Sequence, residues 1–152
     1  MKPLLLLSAA LLLGAACLAR AQNQVLELDG KAAYVQLPGS SFDHLEEATV
    51  EAWVRWDEWS PFSQWFAAGI DQGWRAMGIN HFDASAVLQF FIYTGKEQVQ
   101  VLPVSASLAL GQWCHLAAVT GKEGMRFYLN GVLVAENAYP GSFAVLGGTP
   151  DT

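Results

Sequence analysis

The sequence predicts an all-β protein, a two-sheet sandwich or a barrel, on three observations. Short apolar runs recur along most of the chain, and several alternate apolar with polar residues. Gly, Pro, Asn or Asp stand between almost all of them. No stretch sustains a helical period.

Taken in order, residues 25–28 (VLEL) form a strand pattern that stops at the turn dipeptide Asp29-Gly30. Residues 34–37 (YVQL) alternate and stop at Pro38-Gly39. One turn of helix is expected over 42–47, with Ser41 as its cap. Residues 49–56 alternate, with Val50, Ala52 and Val54 opposite Glu51, Trp53 and Arg55. If the aliphatic side is the core, Trp53 stands on the outer face. Further strands are expected at 65–68, 74–79, 87–93, 99–104, 113–120, 125–129 and 132–135. Asn130-Gly131 between the last two favours a two-residue hairpin, whose central positions both need positive φ. Residues 143–152 read as a short strand fading into turn residues.

Composition limits the function classes. Of 152 residues, 53% are hydrophobic and 14% charged, too apolar for a disordered segment. Eight basic against 14 acidic residues give a net charge of −6, so no basic face suits nucleic acid. The acidic balance also disfavours heparin-like polyanions and anionic lipid surfaces. The length suits one domain with its own core.

Residues 1–21 have the layout of an export signal: Lys2, an apolar run over 4–13, and Ala19-Arg20-Ala21 before Gln22. The run is short for a membrane-spanning helix. A lipoprotein signal ending at Cys17 fits less well, because Gly14 stands where a large aliphatic residue is usual. The domain expected is therefore 22–152, secreted or held at the cell surface or in the periplasm. Without Lys2 and Arg20 its net charge is −8. One cysteine remains, Cys114, which rules out an intrachain disulfide and reads as a small buried hydrophobe.

Catalytic patterns are missing. Glycosidases need two carboxyl groups facing one bond. Glu46-Glu47 and Asp57-Glu58 are adjacent, so on a strand they face opposite ways, and Glu51 is alone on its strand. No phosphate loop, nucleophile elbow or kinase motif occurs. No catalytic residue is assigned, and the chain is expected not to be an enzyme. His44, His81 and His115 are dispersed without metal-ligand spacing, and no metal site is assigned. No cofactor is expected; calcium would find its best ligand in Asp29, although that side chain reads first as the cap of its own turn.

The remaining signal is aromatic. Trp56, Trp59, Phe62 and Trp65 recur around Ser60-Pro61 in an expected loop, beside Asp57, Glu58 and Gln64. Ring faces stack on sugars, and carboxylates and amides take hydroxyl hydrogen bonds. Trp53, Trp56, Trp59, Trp65, Asp57 and Gln64 are the candidate ligand-binding residues. The alternative for the cluster is that its rings seal the sandwich edge. Trp74 and Trp113 read as core.

Three stretches together, 26–37 (LELDGKAAYVQL), 49–55 (TVEAWVR) and 111–134 (GQWCHLAAVTGKEGMRFYLNGVLV), resemble the laminin-G-like domains of the concanavalin A-like lectin/glucanase superfamily. The resemblance covers residues 24 to about 146 in order. It implies a two-sheet antiparallel jelly roll whose relatives are mostly non-catalytic and bind glycans, proteins or lipids outside cells. The chain departs from the pattern in two places. Ala33 occupies a position that is often acidic or amide, and no closing Asp-Glu-aliphatic-Arg strand follows Phe143, so the jelly roll is expected to lack its last strands. The function expected is an exported recognition module for a glycan or an extracellular protein. The alternative is a structural or sensory ectodomain of an adhesin or membrane receptor, such as a signalling kinase, with no sugar site. A glycoside hydrolase is a more distant third.

Overall fold

The computed structural model describes residues 24–70, 75–95, 98–105 and 107–147. The chain divides into two units, Met1–Ala33 and Tyr34–Thr152. The expected export signal and Cys17 lie outside the described residues, as does Trp74. No helix among the described residues is long and apolar enough to cross a membrane.

Among its described residues the second unit has eight strands: β1 (Ala48–Val54), β2 (Gln64–Ile70), β3 (Arg75–His81), β4 (Leu88–Gly95), β5 (Gln98–Val104), β6 (Cys114–Thr120), β7 (Met125–Leu129) and β8 (Val132–Asn137). They form two four-stranded sheets, ordered β1-β6-β7-β8 and β2-β3-β4-β5, with every pair antiparallel. The all-β expectation holds, and the architecture is that of a jelly-roll sandwich.

The core lies between the sheets. Met77, Ile79, Phe90, Ile92 and Val104 of the second sheet meet Leu116, Ala118, Met125 and Phe127 of the first. The Phe90 and Phe127 rings approach to 6.3 Å between centroids. Cys114 is buried with them; burial pushes its thiol pKa up, so it behaves as a small hydrophobe rather than a thiolate.

Strand β1 shows how the sequence sets the layering. Ala48, Val50, Ala52 and Val54 turn toward the core, and Thr49, Glu51 and Trp53 are exposed. Pairing with β6 in unbroken register fixes this choice, since a one-residue slip would reverse every side chain. Asn130 (φ 50°) and Gly131 (φ 79°) make the expected β7–β8 turn.

Glycine is required more strictly at the β6–β7 turn. Gly124 has φ 106°, and a Cβ there would run into the backbone carbonyl of Asn137. A Cβ at Gly131 would meet open space. Gly124→Ala is therefore expected to destabilise the domain by about 2 kcal/mol or more, and Gly131→Ala by about 1 kcal/mol. The midpoints of urea unfolding check this order.

Three expectations are corrected. Residues 25–28 and 34–37 lie in neither sheet, and Val25, Leu26, Tyr34 and Val35 are exposed. Alternation tells which faces a strand would show, but a strand exists only where another backbone takes its hydrogen bonds. No described strand pairs with either segment. The helical turn begins earlier than expected, as a 3-10 turn over Gly39–Ser41. Pro38, with φ −58°, leads into it, and Ser41 lies within the turn without capping it. The expected last strand starts instead as a 3-10 turn, Phe143–Leu146. Its three-residue period buries Phe143 and Leu146 together, where a strand would bury alternate residues. Phe143 stacks on Phe42 at 5.3 Å and meets Phe66 edge-on at 6.0 Å.

Candidate functional site

The outer face of the first sheet carries the most exposed tryptophan among the described residues. Trp53 is 65% exposed on β1. Its register partner across the strand gap is His115 of β6, with ring centroids 5.4 Å apart. One step along the same face, Glu51 pairs with Ala117, and Ala117 pairs with Tyr128 of β7. Two strand spacings put Glu51 and Tyr128 about 10 Å apart across the face. Between them Ala117 offers only a methyl, which leaves the floor low. Glu51 and His115 are linked at 3.7 Å, with Glu51 largely exposed. The result is a shallow patch with an aromatic ring, a carboxylate, an imidazole and a phenol around a small centre.

Asn130 holds one corner of the patch. The His115 backbone N–H donates to Asn130 Oδ1 at 2.9 Å, and the Asn130 N–H donates to the His115 carbonyl at 2.8 Å. The residue that closes the hairpin therefore also fixes the backbone beneath the imidazole.

The patch extends past the end of β1. Arg55 pairs with Asp57 at 3.3 Å and lies over the Trp113 ring, 5.6 Å from its centroid. Trp113 is 46% exposed, which corrects its assignment to the core. Alternation explains the error: Cys114, Leu116 and Ala118 turn inward, so Trp113 and His115 must turn outward. Ring size had outweighed a period-two signal that also marks His115. Arg55 and Asp57 are both well exposed, so their pair shapes the patch more than it stabilises the fold.

The other candidates are placed differently. Trp56 and Trp65 are half-buried and pack against the core. Trp59 is half-buried, 5.7 Å from Trp56, and both rings pack on His81. Gln64 is exposed at the start of β2. The structure thus groups Trp53 and Asp57 on one patch and puts Trp56, Trp59 and Trp65 at the end of the sandwich.

Asp29 uses its side chain on its own turn. Oδ1 accepts the backbone N–H groups of Lys31, Ala32 and Ala33 at 2.9, 3.1 and 3.0 Å. These bonds hold its carboxyl below the usual range. An oxygen engaged this way has little left to offer calcium. Among the described residues no three His, Cys, Asp or Glu side chains are grouped to hold a metal ion.

An antiparallel two-sheet sandwich with an open aromatic and polar patch on one sheet face defines a β-sandwich of the lectin-like kind. The chain matches the laminin G model of the concanavalin A-like lectin/glucanases superfamily over residues 29–152 and belongs to that family. Laminin G-like domains are generally non-catalytic binding modules; they commonly bind glycans or extracellular proteins and are typically extracellular. No curated protein matches the chain.

Proposed function

We propose that this domain is an exported, non-catalytic recognition module that binds a neutral glycan on the outer face of its first sheet. The observation that carries this reading is Trp53, exposed on a rigid strand beside Glu51 and His115. An indole held out by a sheet presents a flat apolar face at little entropic cost, and the C–H face of a pyranose fits it. Glu51, His115 and Tyr128 supply the acceptors and donors that hydroxyl groups need. Arg55 is already paired with Asp57, and the whole chain is acidic. Both facts favour an uncharged ligand.

The test is a glycan array probed with the domain, followed by fluorescence titration of each hit. Binding to neutral oligosaccharides that Glu51→Gln weakens supports the reading. No binding to neutral glycans at millimolar concentration, or binding that Glu51→Gln and Trp53→Ala both leave unchanged, overturns it.

A further inference from the structure

At the end of β3 a histidine sits where a charge is costly. His81 continues the inward-facing series Met77, Ile79 and is fully buried. Neither ring nitrogen has a hydrogen-bond partner. The ring is packed against two indoles, Trp56 edge-on at 5.0 Å and Trp59 at 4.8 Å. Both indoles come from the loop over residues 55–63 that joins β1 to β2.

That loop is fastened at this point. The Phe62 N–H donates to the His81 carbonyl at 3.0 Å, and the His81 N–H donates to the Ser63 carbonyl at 3.1 Å. The Trp56 carbonyl accepts the Gly111 N–H at 2.7 Å, which ties in the segment leading to Trp113. Phe62 holds φ 56°, a conformation that a bulky side chain rarely adopts. The closed loop therefore stores strain and depends on the packing around His81.

Protonation would remove that support. Loop 55–63 presents indoles to the ring, with its acids Asp57 and Glu58 exposed and Arg55 paired to Asp57. Strand β4 presents Leu88, the register partner of His81. Loop 82–87 supplies the charge that favours a cation, Asp83, together with the backbone of Ser85 and Val87. These act on the ring without meeting hydrogen-bond geometry. Burial outweighs them and holds the imidazole below its ordinary pKa. The sign follows: the opened loop binds the extra proton and the closed loop does not, so acid favours opening. Below the ordinary imidazole value of about 6.5, each pH unit favours the open form by about tenfold until the lowered value of the closed form is reached.

We propose that His81, Trp56 and Trp59 form an acid-responsive latch, which keeps loop 55–63 closed at neutral pH and releases it when the ring takes up a proton. Because that loop carries Asp57 and begins at Arg55, release also disturbs one side of the patch around Trp53. This second consequence rests on the recognition reading above; the latch itself does not.

The experiment uses the ligand-free domain labelled with 5-fluorotryptophan and followed by fluorine NMR between pH 7.5 and 5. The Trp56 and Trp59 resonances are expected to collapse toward the exposed position below about pH 6.5, while circular dichroism keeps its β signature. His81→Phe fills the space without a titratable group and is expected to abolish the change. Asp83→Asn keeps the ring but removes the charge that favours a cation in the closed state, so it is expected to lower the pH at which acid-driven opening levels off and not to suppress the opening. A flat wild-type profile, an unchanged transition in His81→Phe, or loss of all β signal together with the indole shift overturns the latch. On any glycan the array identifies, affinity is expected to fall over the same pH range in the wild type and not in His81→Phe. Equal pH dependence in both proteins overturns the coupling and leaves the ligand-free result standing.

Discussion

Trp53→Ala is expected to weaken glycan binding about 30-fold, equivalent to ~2 kcal/mol, and to leave the melting temperature nearly unchanged. The two halves of this expectation have different physical origins. Binding falls because the indole is the largest apolar surface that the patch can lay against a sugar ring. Stability holds because the side chain is mostly in water and no core residue rests on it. Isothermal titration and a thermal melt of the same preparation read both halves. A loss of binding accompanied by a melting shift of ten degrees would mean that Trp53 supports the sheet instead. By contrast, Trp56→Ala removes a ring packed against the core and His81, so it is expected to destabilise first and weaken binding only indirectly.

Phe127→Ala is expected to cost about 3–5 kcal/mol of folding stability, a large part of the roughly 5–15 kcal/mol that a domain of this size holds. Phe127 is fully buried on β7 and meets Phe90 of the opposite sheet. Truncation loses the transfer energy of the ring and leaves a cavity between sheets that cannot easily close, because each is braced by its own hydrogen-bonded ladder. Urea unfolding followed by circular dichroism measures the shift. A cost below 1 kcal/mol would show that the sheets are not packed together at this point.

The strands were legible because they are two-sided. A half-buried strand writes its environment into its alternation, which is why β1 and β7 were found with their two faces correctly sorted, while the run into β6 was found without its faces and with Trp113 placed in the core. The Asn130-Gly131 turn was legible for a different reason, because few residue pairs tolerate two consecutive positive φ values. What the sequence could not supply was partnership. Residues 25–28 and 34–37 carry the same alternation as β1, yet neither is part of a sheet. The site was half legible. Trp53 and Asp57 were found by strand face and by chemistry. Trp113, His115 and Tyr128 come from strands or strand ends distant in sequence, and only the β1-β6-β7 register brings them to one patch. The packing of Trp56 and Trp59 on His81 was not legible, because the sequence shows the aromatics of loop 55–63 without showing what lies beneath them.

The shallowness of the patch has a consequence for how such a domain would work. Trp53 and Glu51 stand on a sheet surface and not within a cleft, so a bound sugar keeps its other face in water. Half of the ligand's surface then contributes nothing, and single-site affinity stays in the weak range from which bound sugars leave quickly. Firm attachment to a glycan-coated surface would have to come from number. Several copies held close together, each releasing and rebinding independently, gain about 10²–10⁴ in avidity without any new contact. An open face of this kind favours recognition of a repeating polymer over capture of one free sugar.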